Sequence, residues 1–268
     1  CMPEGGAAWT VAAIRVDAPT IRLAVDATGR NNWADLAPQT ANAVPADEAG
    51  AMAAISVAGL QITRGTLLYV DRPADSKIAL RNLNVTTGAL AVGKPFKLRL
   101  SGTLQQGGSL TVGLNVSALA RVNPDAARYQ LAAPVIALQL KGAGLPAAGL
   151  AVDLRFERID ADLGRQTVAL PGMDLRAAGA HLTGALTGAK IIDAPKLTGP
   201  LRLADVSLRE LLHNLGVTLP VTRAAGAFGR LGFEGTVAAD SHSLMLNNLR
   251  LRFDDTTATG RGGITDLD

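Results

Sequence analysis

Apolar and polar residues alternate one for one in four separate stretches of this chain, and that period admits only one kind of backbone. Phe96, Leu98 and Leu100 interleave with Lys97, Arg99 and Ser101, and Leu110, Val112 and Leu114 with Thr111 and Gly113. Further on, Val152, Leu154 and Phe156 interleave with Asp153 and Arg155, and Leu249, Leu251 and Phe253 with Arg250 and Arg252. Successive side chains leave a strand on opposite sides. Each stretch therefore has one apolar and one polar face, as a half-buried antiparallel strand does. Gly107-Gly108, Asn123-Pro124, Pro171-Gly172 and Asp240-Ser241 fall between such runs and read as turns. The spacing predicts an all-β chain, a meander rather than βαβ units.

Two segments break the period. Asn32 to Leu36 suggests a short helical turn after a strand. Over 207–215, Ser207 and Glu210 have capping-box spacing, Leu208, Leu211, Leu212 and Leu215 share one helical face, and Gly216 supplies a left-handed stop. The Ala-, Pro- and Asp-rich stretch 37–54 reads as a mobile loop. Residues 1–13 read as a flexible segment or scar, and 14–268 as a fragment of one β-body. Cys1 is the single cysteine, so an internal disulfide is excluded.

The composition narrows function mostly by exclusion. Hydrophobic residues make up 48% and charged ones 18%, below the roughly 25% charged of average soluble proteins. No run approaches the roughly 18 apolar residues of a spanning helix. The apolar surplus fills a core or forms an apolar surface with a purpose. Aromatics at 3% argue against an outer-membrane barrel with its girdles. A net charge of +3 with the signs interspersed gives no basic stripe for nucleic acid. His181, His213 and His242 lack ligand spacing. Gly184 to Lys190 has the wrong spacing for a phosphate loop, Asp254-Asp255 reads as a charged pair closing a strand, and no G-x-S-x-G occurs. No catalytic residue, cofactor or metal is expected. An aliphatic sheet face suits acyl chains, because burying methylenes is non-directional and worth roughly 0.8 kcal/mol each. The same face suits a closed core.

Three segments together resemble the AsmA family. Ile21 to Leu36, IRLAVDATGRNNWADL, carries a D-x-x-G-R-x-N-W turn through Asp26, Gly29, Arg30, Asn32 and Trp33. Ile55 to Asp71 carries Gly65, Tyr69 and Asp71 and leads on to GKPFKLRLSGTL. The third begins at Leu197 and has Leu215, Gly216, Leu219 and Pro220, then Asp254, Asp255, Thr256 and Gly260. The resemblance implies a long antiparallel, twisted and curled β-sheet forming an open groove, with one or two short helices. It implies a periplasmic body, anchored in the inner membrane by a segment outside this chain, and a role in phospholipid traffic between inner and outer membranes and in outer-membrane biogenesis. Phospholipids are the expected partners, with an envelope protein as a possible second. The groove face is expected to comprise Phe96, Leu98, Leu100, Leu110, Val112, Leu114, Val152, Leu154, Phe156, Leu249, Leu251 and Phe253. The implied role of the turn residues is structural, with Trp33 plugging the groove edge or the core. Three readings stay open: a lipid conduit, a scaffold pairing its sheet edge with a partner strand, and an unrecognised hydrolase.

Overall fold

The computed structural model describes residues 10–33, 56–107, 109–219 and 227–266. The chain divides into two units, 1–122 and 123–268. The loop expected at 37–54 lies outside the described residues. Of the turn expected at 32–36, Asn32 and Trp33 are described, and they do form a turn.

The first unit contains β1 (Thr10–Val11), β2 (Ile14–Asp17), β3 (Thr20–Val25), β4 (Ser56–Val57), β5 (Leu60–Asp71), β6 (Ser76–Thr87), β7 (Phe96–Gln106) and β8 (Leu110–Asn123). Strands β5 to β8 form an antiparallel meander in chain order. Strands β2 and β3 both run parallel to β5, one after the other along its length. Such parallel pairing needs a long return connection, and residues 26–59 supply it. Strand β1, within the 1–13 segment that reads as flexible or as a scar, pairs in parallel with β4.

The second unit contains β9 (Arg128–Gly142), β10 (Leu150–Arg155), β11 (Arg158–Asp162), β12 (Thr167–Ala177), β13 (Ala180–Ala189), β14 (Lys196–Val206), α1 (Leu208–Asn214), β15 (Leu231–Ala239), β16 (Ser243–Phe253) and β17 (Thr256–Thr265). Strands β12 to β17 pair antiparallel in chain order. Strands β10 and β11 lie end to end between β9 and β12.

Helix α1 forms as its residues dictate. The Ser207 hydroxyl accepts from the Glu210 N–H at 3.2 Å. At the other end Gly216 is left-handed, with φ 77°. Its N–H reaches His213 O and that of Val217 reaches Leu212 O, so the last carbonyls are satisfied. Leu208, Leu211, Leu212 and Leu215 are half-buried, while Arg209, Glu210, His213 and Asn214 are exposed.

A line of irregular backbone crosses each unit in mid-strand. In the first unit it passes through Ala18 between β2 and β3, Arg64 in β5 and Asn82 in β6, all with positive φ, and register shifts mark the same places. In the second it passes from Ala133 in β9, through Glu157 between β10 and β11, to Pro171-Gly172 in β12. It then continues through Gly199 in β14, where a Cβ would clash with the Ala185 carbonyl, to Asn248 in β16. Bulges bend a strand and increase its twist, so these lines are where the strands of each unit bend. Pro171-Gly172, which reads as a turn from sequence, is one of these bulges. A bulge leaves a residue unpaired, which is where a proline without an N–H can sit inside a sheet.

Candidate functional site: an apolar sheet face

Residues paired across neighbouring strands project to the same side, so the register sorts every side chain. In the first unit Phe96, Leu98 and Leu100 of β7 oppose Ala120, Ala118 and Val116 of β8, and Leu104 opposes Val112. On the same side Leu110 faces Gln106 and Leu114 faces Gly102. The row through Leu104 continues to Leu80, Leu67 and Ile21, and the row through Leu100 to Val85, Ile62 and Val16. Lys97, Arg99, Ser101 and Thr103 lie on the other side, across from Leu119, Ser117, Asn115 and Gly113.

The second unit repeats the pattern over eight strands. One row runs Ile136, Leu154, Leu175, Leu182, Leu203, Phe233, Leu251, Ala258. The adjacent row, on the opposite face, runs Val135, Arg155, Asp174, Thr183, Arg202, Glu234, Arg250, Thr259. A one-residue change of register would exchange these faces. The bulges do not, because each adds a residue that is left unpaired.

The twelve expected face residues are thus placed as follows. The six of β7 and β8 share one face of the first unit. Val152 and Leu154 of β10 share one face of the second with Leu251 and Phe253 of β16, and Leu249 lies next to them on β16. Phe156 differs, since β10 ends at Arg155 and Phe156 sits buried at the break before β11. Among the described residues only Ala120, Phe156, Met173, Leu203 and Val237 are buried hydrophobics. Most of the apolar face is therefore half-exposed rather than sealed into a core.

The two margins of the second unit differ. At one, α1 is tied to the β12–β13 turn by Asn214 Nδ2 donating to Ala178 O at 3.0 Å. Phe228 packs edge-on against Phe253 with centroids 5.9 Å apart. Asp254 pins Phe228, Gly229 and Arg230 by accepting all three N–H groups. These contacts, chiefly the Arg230 N–H, hold its carboxyl below the usual value. The other margin consists of the tight turns after β11, β13 and β15.

The turn motif of the first unit has a structural reading. The Asp26 carboxylate accepts from the Thr28 and Arg30 N–H groups, and Gly29 takes φ 81°. The Asn32 side chain then imitates a strand along β3, accepting from Ala24 N and donating to Arg22 O. This sets Trp33 against Tyr69, centroids 6.1 Å apart, at the end of the apolar face. The Tyr69 hydroxyl donates to Asp71, a contact that raises the pKa of the phenol.

The polar faces carry ion pairs. Asp174 lies 3.1 Å from Arg176 and 2.8 Å from His181, contacts that lower its pKa, Arg176 foremost. Asp205 bridges Arg230 and Arg252. A shallow concavity on the polar side, between Thr187, Thr198, Ala238 and Met245, has Lys196 at its edge, but the Thr187 and Thr198 hydroxyls already donate to backbone carbonyls. Among the described residues no group of three His, Cys, Asp or Glu could hold a metal ion, and no helix is long and apolar enough to cross a membrane.

The sequence model of the AsmA family matches residues 9–268. No curated protein and no solved structure matches.

Proposed function

The chain belongs to the AsmA family, and from that premise we propose that its apolar sheet faces hold the acyl chains of phospholipids in transit between the bacterial membranes. Family membership supports a role in envelope or outer-membrane assembly or in lipid transport. The observation that carries the finer reading is the eight-strand apolar row in the second unit, half-exposed over most of its length and free of charge. Each methylene removed from water there is worth roughly 0.8 kcal/mol. A sixteen-carbon chain then gains on the order of 10 kcal/mol before entropic costs, with no polar contact required. On this reading the chain is a non-enzymatic periplasmic body of a protein anchored in the inner membrane.

A photo-crosslinking residue tests this at Leu98 and Leu154 on the apolar side, with Arg99 and Arg155 as polar-side controls. Phospholipid adducts are expected at the first pair only. Equal labelling of both pairs sinks the reading. A second reading, scaffolding by strand addition, draws on β17, an edge strand whose ten residues are all exposed. It predicts crosslinks to protein at β17 and none to lipid at Leu154.

A further inference from the structure

The turn margin of the second unit has features that acyl-chain binding does not require. The β11–β12 and β13–β14 turns are locked together. The Ile191 N–H donates to Gln166 O at 3.2 Å, and Gln166 Nε2 to the Asp193 carboxylate at 2.6 Å. From this braced pair project two aliphatic side chains, Ile192 at 62% exposure and Leu163 at 39%. Exposed cations flank them: Arg165, Lys190 and Lys196. Neither lysine makes an ion pair among the described residues. Of the carboxylates nearby, Asp162 is engaged by Arg128 and Arg165, Asp193 by Gln166, and Asp240 of the β15–β16 turn by His242 and Ser243.

The apolar face also opens toward this margin. Its last row runs Tyr129, Ala161, Val168, Gly188, Leu197, Ala239, Leu244, Ile264. Within it Tyr129, Leu244 and Ile264 are 39%, 40% and 58% exposed. The buried members of the face, Met173, Leu203 and Val237, lie further from it. The opposite margin is occupied by α1 and Phe228.

We propose that the second unit docks by this turn margin on a bilayer containing anionic lipid. Ile192 and Leu163 enter the headgroup layer, and Arg165, Lys190 and Lys196 meet lipid phosphates. Aliphatic tips ringed by basic side chains combine the two attractions that hold a peripheral protein at an anionic interface. The docking does not depend on whether acyl chains occupy the sheet face. It places the open side of that face against the membrane.

The test is flotation of the purified chain with vesicles of phosphatidylglycerol mixed with phosphatidylethanolamine, and with vesicles of phosphatidylcholine alone. Binding is expected to the anionic vesicles and to weaken with salt. Ile192→Ser should reduce it, and Lys190→Glu combined with Lys196→Glu should reduce it by at least about ten-fold. These positions are exposed, so folding is expected to survive, and circular dichroism checks this. Val217→Ser just after α1 and Lys141→Glu near the end of β9, both at exposed positions, should leave binding intact. No flotation, equal binding to neutral vesicles, indifference to the tip variants, or equal losses from both sets would each overturn the proposal. Lipid co-purifying with Ile192→Ser, read by mass spectrometry, reports separately on the sheet face. Its loss or retention bears on acyl-chain binding and not on docking.

Discussion

Single carboxylates hold the irregular parts of this molecule, and Asp254 shows how. Its three backbone contacts fix the entry into β15 and bring Phe228 onto Phe253. Its carboxyl is held below the ordinary value of 3.8, which the unfolded chain retains. The contribution of this aspartate is therefore complete above that ordinary value and fades as pH falls through the lower folded one. Asp254→Asn is expected to lower the urea midpoint at pH 7, with the gap to the parent narrowing on acidification below about pH 4. A gap independent of pH would assign the effect to shape rather than charge. The sequence offered Asp254-Asp255 as a charged pair closing a strand and as part of the third family-like segment. Its role is set by residues 228–230, roughly 25 positions earlier, and no local pattern reports such a pairing. Ser207 was legible for the opposite reason, because its partner Glu210 is three residues away.

At the scale of the strand, alternation carried most of the information. It identified β7, β8, β10 and β16 and put eleven of the twelve expected face residues on strands. It also overran β10 by one residue at Phe156, because an apolar side chain at a strand break keeps the same parity. Parallel pairing of β2 and β3 with β5 could not be read, since period two is blind to strand direction. The bulges were equally hidden. Pro171-Gly172 carries turn chemistry, and only the register of β12 against β13 shows the strand continuing past it. Gly172 has φ 63°, and a Cβ there would lie 2.7 Å from that of Glu157. Gly172→Ala is expected to destabilise the second unit by at least about 1 kcal/mol, read as a lowered urea midpoint. An unchanged midpoint would mean the bulge relaxes without cost.

For the molecule as a whole, the distinction that matters is between an open apolar face and a sealed core. Composition could not separate them, because both require the same aliphatic residues. The half-exposed rows favour the open face, and Leu114→Glu tests it. Leu114 faces Gly102 on the apolar side of the first unit and is half-buried. In a sealed core the new charge would have no route to water and the chain would unfold. On an open face the variant is expected to fold, with an unchanged circular dichroism spectrum, and to lose co-purifying lipid.

From β12 to β16 each strand bonds the strands that precede and follow it in the chain. Such an array can change size by whole hairpins. Adding or removing two strands and their turns restores the same edge, the same direction and the same facing of side chains, whereas an unaccommodated single-residue insertion inverts a strand. Descendants of a chain built this way can differ in length by hairpin steps while the apolar surface stays continuous, so the reach of the sheet is a quantity that evolution can count out in units.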